Sequence, residues 1–346
     1  MTSSLTLPEP GASFVVGLDN GGTCNNATVL DASPRFLVSE LIETPSRVKE
    51  GPDAGLDALV FAFDNVLALT STTSAQVRVV GLDSPGPASA AGVISRRGST
   101  NFEHPDWCGF DLRGGLEKRL GRPVVYNNDG NAAALYAHYQ HFGAEAGRYS
   151  SVAAIVGTGL GGGVIQAGEI VCGAAGMAGE LGHVHIPMHD LLEADQPLPS
   201  CNCGFVGDAE SVASLTGIER NLLPYWLSKY PGHDLASVEP TAKAARMVRS
   251  YGEAGDPMAL RIFTQQAAAL GRLFTIAANF LDPDAYFVGG GVVETSEEFR
   301  TWYLRTVREH TLLREESARA ATFALAPDLD MAGARGAAMA AFQATF

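Results

Sequence analysis

The stretch FVVGLDNGGTCNNATVLD, residues 14–31, has the pattern of two apolar strands joined by a glycine turn. Residues 150–171, SSVAAIVGTGLGGGVIQAGEIV, repeat this plan and add a third strand after a second turn. A glycine turn leaves backbone N–H groups uncovered by side chains, so it can hold phosphate oxygens. The two hairpins therefore predict a duplicated architecture with phosphate contacts in each half of the chain.

The rest of the chain alternates between strands and helices, which predicts an α/β fold. Further apolar strands are expected at VRVVGLD (77–83), at RPVVYNND (122–129), which runs straight into a helix, and at AYFVGGGVV (285–293). Helical patterns lie near residues 52–70 and 111–120, at residues 257–281, and in the small-residue segment that ends the sequence.

Composition and charge exclude several classes of protein. With 346 residues, of which 46% are apolar and 18% charged, the chain is long and apolar enough for two domains with buried cores. Its net charge of −14 argues against nucleic acid or an anionic membrane as a partner. We expect no signal peptide in the N-terminal leader and no membrane span, since no apolar run approaches ~18 residues. The five cysteines form an odd set with one close pair, which favours thiols or a metal site in a cytoplasmic protein.

The glycine turns carry the candidate nucleotide contacts. Asp19 stands beside Gly21, Gly22 and Thr23, so its carboxylate could hold a hydrated Mg²⁺ at the phosphates. GTGLGG in the second hairpin also matches the dinucleotide-binding pattern, but a hairpin follows it where a dehydrogenase needs a helix. Glycines after the late strand would let an adenine ring lie against the backbone. The remaining candidate ATP contacts are Gly157, Thr158, Gly159, Gly161, Gly289, Gly290 and Gly291.

Six motifs occur in a fixed order: GLDNGGT, NNDGNAA, GTGLGGG, GELGHVHIP, CNCGFVGDAE and GGGVV. With them the chain resembles the ROK family of sugar kinases and sugar-responsive repressors, within the superfamily of sugar kinases, Hsp70 chaperones and actin. The resemblance spans residues 14–340, and the paired GELGH and CNCGxxG elements are its most specific part. It implies duplicated ribonuclease H-like domains of the actin-like ATPase type with a central cleft, and an ATP-dependent hexose kinase.

The resemblance also divides the chain into domains. Residues 1–126 are expected to form a smaller N-terminal α/β domain, which the C-terminal helix at about residues 331–346 completes. Residues 127–330 are expected to form a larger α/β domain, with an insertion like a metal knuckle at residues 183–210.

Asp129 in NNDGNAA corresponds to the catalytic base of the family. A carboxylate at a strand end, just before a helix, is anchored and can accept the proton of a sugar hydroxyl. From spacing alone, Asp129 could equally be the N-cap of the helix that follows.

The same resemblance implies a set of sugar contacts. A sugar presents a ring of hydrogen-bond donors and acceptors, which suits amides and carboxylates from several loops. Glu180 and Glu210 could alternatively be solvated surface carboxylates. The expected sugar contacts are Asn101, Asn128, Glu180, His183 and Glu210.

The knuckle CNCGFVGDAE departs from the family pattern. In the family, the histidine of GELGH and three cysteines bind a structural Zn²⁺, whereas Asp208 stands here in place of the third cysteine. The counterparts of the other ligands are His183, Cys201 and Cys203. Zinc accepts a carboxylate oxygen, so this set could hold the ion more weakly; alternatively the metal is lost and Asp208 accepts hydrogen bonds from turn amides. Nearby histidines that could substitute as ligands are His185 and His189.

Three functions remain open from the sequence. The first is a hexose kinase that uses ATP and Mg²⁺, with glucose or an N-acetyl-hexosamine as the small-molecule partner, and the family favours a homodimer. The second, a DNA-binding sugar sensor, is disfavoured because only a short leader precedes the first strand. The third is a non-catalytic sugar-binding relative, suggested by Asp208 and by Cys24, which stands where kinases of the family often have a lysine.

Overall fold

The computed structural model describes residues 13–86, 88–95 and 101–345. The N-terminal leader, for which the sequence predicts no signal peptide, lies outside these ranges. The chain divides into two compact units. The first comprises Met1–Gly143, Glu169–Ala178 and Asp328–Phe346, and the second comprises Ala144–Gly168 and Gly179–Pro327. The first unit thus continues beyond residue 126, where the sequence places a domain border, and the division into functional domains stays a prediction.

Ten strands and ten α-helices are assigned in the described residues. The strands are β1 (Phe14–Asn20), β2 (Cys24–Leu30), β3 (Glu43–Pro45), β4 (Val77–Ser84), β5 (Val124–Asn128), β6 (Ser151–Val156), β7 (Leu160–Gln166), β8 (Glu169–Ile170), β9 (Ala285–Gly289) and β10 (Thr322–Leu325). The helices are α1 (Pro52–Leu69), α2 (Leu112–Leu120), α3 (Asp129–Phe142), α4 (Leu215–Gly217), α5 (Leu223–Lys229), α6 (Thr241–Glu253), α7 (Pro257–Leu281), α8 (Glu297–Glu309), α9 (Glu315–Ala320) and α10 (Leu329–Gln343).

The sheet of the first unit has the order β3-β2-β1-β4-β5. β2 runs antiparallel to β1, whereas β4 runs parallel to both β1 and β5. In this register Asp19 lies opposite Asp83, and Ser84 lies opposite Asn128. Since the carboxyl ends of parallel strands meet at one edge of a sheet, the polar residues that end β1, β4 and β5 lie close together.

Helices cover both faces of this sheet. On one face, α1 and α2 contribute Leu59, Phe63 and Leu116 to an apolar core that includes residues of β1 and β4. On the other face, α10 lies directly against the strands, because a Cβ on Gly17 or Gly81 would collide with the α10 backbone. This close backbone approach fixes α10 over β1 and β4.

The strands of the second unit form a sheet in the order β10-β9-β6-β7. β6 and β7 form an antiparallel hairpin, and β9 runs parallel to both β6 and β10. The helix α7 lies in the core of this unit and has the bounds that the sequence predicts. Its Phe263 contacts Phe299 of α8 with ring centroids 5.1 Å apart, and its Phe274 contacts Tyr286 of β9 at 5.0 Å.

The two sheets share one plan. The order β2-β1-β4-β5 of the first sheet matches β7-β6-β9-β10 of the second, with an antiparallel hairpin followed by two parallel strands in each. Two mixed sheets with flanking helices confirm the predicted α/β class and its duplication. Among the helices of the described ranges, none combines the length with the apolarity that crossing a membrane requires.

Candidate active site

Asp129 is the first residue of α3, directly after β5. The N-cap of this helix is Asn128, whose Oδ1 accepts hydrogen bonds from the N–H of Gly130 at 2.9 Å and of Asn131 at 3.3 Å. Asp129 Oδ1 accepts a further bond from the same Gly130 N–H at 2.8 Å, and its side chain is exposed. The capping role thus belongs to the preceding asparagine, which leaves one Asp129 oxygen available to a ligand.

Three carboxyls of the first unit influence one another. Burial, opposed by a hydrogen bond from Asn26 and reinforced by the charge of Asp129, raises the pKa of Asp19 to about 6. Burial also raises the pKa of Asp83 well above its usual range, with contributions from Asp19 and Asp129. Desolvation by the surrounding protein raises the pKa of Asp129, although its side chain reaches solvent. This edge of the sheet therefore concentrates negative charge that a cation or a proton must offset.

The first glycine hairpin presents free backbone donors. The N–H of Gly21 donates to the carbonyl of Cys24 at 3.0 Å and closes the turn. The N–H groups of Gly22 and Thr23 meet no acceptor among the described residues. Asn101 lies against this turn, because a Cβ on Gly22 would be 2.5 Å from its Oδ1. The structure therefore brings a predicted sugar contact next to predicted phosphate contacts.

Hydrogen bonds from α4 fix the backbone of the second glycine hairpin. The N–H of Gly157 donates to Gly159 O at 2.9 Å, while Leu215 N–H and Thr216 N–H donate to the carbonyls of Gly157 and Thr158 at 3.0 and 3.1 Å. In the described chain, the N–H groups of Thr158 and Gly159 have no acceptor. These two amides are suited to phosphate oxygens. Gly161 lies outside the turn, within β7 and opposite Ile155.

A cavity of about 370 Å³ opens beside this hairpin in the second unit. Its lining includes Gly157, Thr158 and Gly291 of the predicted nucleotide contacts, together with Ile218, Arg249 and Phe263. Arg249 Nη1 donates to the carbonyl of Gly291 at 2.6 Å. Gly289 ends β9, and Gly290 has a φ of 89°, at which a Cβ would collide with the backbone of Val156. Of the glycines that follow β9, Gly291 thus lines the cavity, beside the Arg249 side chain.

The knuckle brings together the four predicted metal ligands. One ligand atom each of His183, Cys201, Cys203 and Asp208 lies within 4.8 Å of the others. Asp208 Oδ2 is 3.4 Å from His183 Nδ1 and 3.6 Å from Cys203 Sγ, while its Oδ1 accepts a hydrogen bond from the N–H of Ser211 at 3.0 Å. One oxygen thus bonds to a turn amide, and the other faces the remaining ligands. An imidazole, two thiols and a carboxylate oxygen at this spacing fit a four-coordinate zinc ion.

Protonation within the knuckle follows its hydrogen bonds. The bond to Asp208 raises the pKa of His183 above its ordinary value. Burial acts to raise the pKa of Asp208, but the bonds from His183 and Ser211 outweigh it and lower the pKa. Burial raises the pKa of the Cys201 thiol. His185 and His189 are exposed and lie outside this cluster.

Glu210 connects the knuckle to the second hairpin. Its Oε2 accepts a hydrogen bond from Leu160 N–H at 2.8 Å, and its Oε1 accepts one from Cys201 Sγ at 3.1 Å. Its own N–H donates to the carbonyl of Gly182 in GELGH at 2.8 Å. Glu180, at the start of the same motif, is exposed. The Glu210 carboxylate is therefore fixed by hydrogen bonds and is not freely solvated.

The sequence reasoning missed several residues of this region. Thr216 and Leu215 anchor the hairpin through backbone bonds, which no residue pattern signals. Arg249 lies on the amphipathic helix α6, where an exposed arginine is ordinary. Asp83 ends a typical apolar strand, and only the register of β1 and β4 brings it beside Asp19.

Comparisons with known proteins show which family the chain belongs to. The family model described as "ROK family" matches residues 15–344. A glucokinase of Halalkalibacterium halodurans is 30% identical over 300 residues, which cover 86% of this chain and 84% of the relative. An N-acetyl-D-glucosamine kinase of Erwinia tasmaniensis is 30% identical over 329 residues, which cover 93% of this chain and 97% of the relative.

A solved structure extends the likeness to the fold. The crystal structure of a ROK family glucokinase from Streptomyces griseus in complex with glucose and AMPPNP is 28% identical to this chain. The two superpose with a TM-score of 0.69 over 95% of this chain and 99% of the other. This likeness confirms the predicted actin-like ATPase fold. Since the family model covers nearly the whole chain, the protein belongs to the ROK family.

Proposed function

We propose that this chain is an ATP-dependent hexose kinase that phosphorylates a hydroxyl of glucose or of an N-acetyl-hexosamine. The observation that carries the proposal is Asp129, an exposed carboxylate fixed at the start of α3 by the cap of Asn128. Relatives named glucokinase and N-acetyl-D-glucosamine kinase, each 30% identical to this chain, support the activity and the substrate class.

In the proposed reaction, Asp129 accepts the proton of the sugar hydroxyl as its oxygen attacks the γ-phosphorus of ATP. The bond between that phosphorus and the bridging oxygen breaks, and ADP leaves. Free amides of Gly22, Thr23, Thr158 and Gly159 would bind phosphate oxygens. Such a transfer depends mainly on positioning and on charge stabilisation, with a base to take the proton.

The residues of the first unit fit a magnesium ion. Asp19 offers a carboxylate next to the free amides of the hairpin, and oxygen ligands of this kind suit the ion. Bound with ATP, Mg²⁺ would neutralise charge on the β- and γ-phosphates. Cys24 supplies no cation beside this turn, so Asp19 acts here without a neighbouring lysine.

We infer that the sugar is held by Asn101, Asn128, Glu180, His183 and Glu210. The hydrogen bond from Leu160 N–H would preset the orientation of Glu210 before a sugar arrives. We also propose that His183, Cys201, Cys203 and Asp208 hold a structural zinc ion that stiffens the loop carrying these contacts. The spacing of their ligand atoms supports this assignment.

We propose in addition that the protein works in the cytoplasm as a homodimer of two-domain chains, divided near residues 126 and 330. None of the five cysteines, all of which are described, forms a disulfide, which supports a reducing compartment. The dimer rests on the family resemblance, and light scattering of the purified protein measures it directly.

The activity is tested by following ADP release from Mg-ATP with a panel of hexoses. Wild type is expected to turn over at least one of them, and Asp129→Asn to lose about 10²-fold or more in kcat while still binding sugar. Asp64→Asn, at an exposed position of α1, is the matched control and should behave like wild type. Saturable sugar binding without turnover in wild type would support the non-catalytic alternative instead.

A further inference from the structure

Asp83 is a buried carboxyl without a hydrogen-bond partner. It is the penultimate residue of β4 and has no exposed surface, and neither of its oxygens bonds to any described residue. A buried carboxyl in this state is costly unless a ligand or a proton satisfies it. The proposed reaction gives Asp83 no task, since the base is Asp129.

The side chain of Asp83 lies on the same face of the sheet as the carboxyl of Asp19. The two residues are register partners on the neighbouring strands β1 and β4. Above them, α10 carries Gly333, where a Cβ would lie 2.8 Å from Asp83 Oδ2 and 3.1 Å from Asp19 Oδ2. The carboxyls of Asp83 and Asp19 thus both pack against Gly333, where any larger residue would meet them.

Asn26 adds a third oxygen to this place. Its Nδ2 donates to Asp19 Oδ2 at 2.9 Å, which fixes the amide beside the carboxyl of Asp19. Its Oδ1 is buried and meets no donor in the described chain. Carboxylate and amide oxygens are the ligands that hard divalent cations prefer.

We propose that Asp83 and Asp19 bind a divalent cation directly, with Asn26 as an additional oxygen ligand, so that the first unit holds a metal without nucleotide. In the proposed kinase reaction this ion is the Mg²⁺ of the phosphate site, and in that respect the inference rests on the proposed function. The two carboxylates supply two negative charges that a divalent ion neutralises, and no protein cation bonds to Asp83. A cation bound before the nucleotide arrives would supply positive charge to the phosphates. It would thereby replace the charge of the lysine that kinases of the family often have where Cys24 stands here.

Mn²⁺ is the probe, because its paramagnetic resonance signal in solution falls when it binds to protein. Titration without nucleotide or sugar is expected to reveal a saturable site in wild type that Mg²⁺ competes for. Asp83→Asn keeps the side-chain shape and should weaken Mn²⁺ binding at least about tenfold. Asp53→Asn, an exposed acid on α1, is the control and should leave binding unchanged.

Gly333→Ala gives a second variant in which both carboxylates remain. Its methyl group would lie 2.8 Å from Asp83 Oδ2 and 3.1 Å from Asp19 Oδ2 and would force the carboxyls to shift, so Mn²⁺ binding should again fall about tenfold. Helix propensity alone favours alanine over glycine. Thermal unfolding with and without Mg²⁺ checks that each variant folds; the stabilisation by Mg²⁺ should disappear in both.

The outcomes separate this inference from the kinase proposal. If wild type binds no Mn²⁺ without nucleotide, or if Asp83→Asn binds it as wild type does, the site is a proton-sharing carboxyl pair and the inference is overturned. That result leaves ADP release and the role of Asp129 untouched. Conversely, Mn²⁺ binding that depends on Asp83 in a protein without turnover upholds the site and refutes the kinase.

Discussion

The proton acceptor of the proposed reaction is a single carboxyl whose charge depends on its surroundings. Desolvation raises the pKa of Asp129 above its ordinary 3.8, against the bond from Gly130 N–H. A raised pKa makes the carboxylate a stronger base, which helps it to take a hydroxyl proton. It also means that Asp129 loses its charge at a higher pH than an aspartate with the ordinary pKa does.

This shift predicts the acid side of the pH profile. Only the ionised form of Asp129 can accept a proton, so kcat/KM should fall as the pH drops through the raised pKa. We therefore expect the acid limb of the kcat/KM profile to have its midpoint above pH 3.8. The measurement is kcat/KM between about pH 4.5 and 8, with protein stability monitored at each pH. A profile that stays flat to the lower end would contradict the assignment of Asp129 as the base.

The identity of residue 208 predicts how firmly zinc is held. A thiolate is a softer and longer ligand than a carboxylate, so Asp208→Cys should retain zinc against a chelator longer than wild type does. Elemental analysis of wild type should find about one zinc ion per chain, and Asp208→Ala should lose it. Zinc absent from wild type but present in Asp208→Cys would mean that the aspartate has replaced the metal.

At the scale of elements, the position of α3 depends on the closeness of α10. A Cβ on Gly336 of α10 would collide with the backbone of Ala132, one turn after Asp129. Backbone contact of this kind allows α3 to lie against the C-terminal helix. The alignment of Asp129 is therefore set partly by a residue more than half the chain away.

Gly336→Ala tests this dependence. Helix propensity alone favours alanine by about 1 kcal/mol, whereas overpacking against α3 costs about 1–3 kcal/mol. We expect a net loss of thermal stability together with a lower kcat, measured by thermal unfolding and ADP release. Gly147→Ala is the matched control, since a Cβ there meets nothing within 4 Å. Equal stability of both variants would disprove the proposed contact.

Elements with strong local signals were predictable. The helix α7 combines a long apolar period with Asp256 as N-cap, whose side chain accepts from Ala259 N–H, and with Pro257 at its first position. The border of β5 and α3 is likewise marked by an apolar strand and a capping asparagine. Such signals depend on residues that are neighbours in the sequence, so they can be recognised without knowledge of the fold.

Contacts between distant elements were not predictable from the residues alone. The approach of Asp83 to Asp19 requires the pairing of β1 with β4, and the bond of Glu210 to Leu160 requires the knuckle to fold onto the second hairpin. Neither residue type is unusual where it stands. The resemblance to the family identified Glu210 as a candidate site residue. Asp83 lies in none of the quoted family motifs, and only the burial of its carboxyl and the lack of hydrogen bonds to it identify it.

At the scale of the whole molecule, the two units contribute different parts of the proposed reaction. The first carries the acids Asp19 and Asp129, whereas the second carries the cavity beside β6 and β9 and the knuckle. In the proposed reaction both hairpins would contact phosphates, while the acids lie beside the first hairpin and the cavity lies beside the second. A variant confined to one hairpin should therefore separate nucleotide binding from proton transfer.

Gly157→Val is expected to impair nucleotide binding selectively. A Cβ at this position meets nothing within 4 Å, so the fold should tolerate the side chain, yet Gly157 lines the 370 Å³ cavity that we assign to ATP. The KM for ATP should rise about tenfold or more, while the Kd for the sugar, measured by calorimetry without nucleotide, stays within about twofold of wild type. Gly147→Val, also in open space in the second unit, controls for the added volume. An unchanged KM for ATP would exclude this cavity as the nucleotide site, because a nucleotide bound there would collide with the valine side chain.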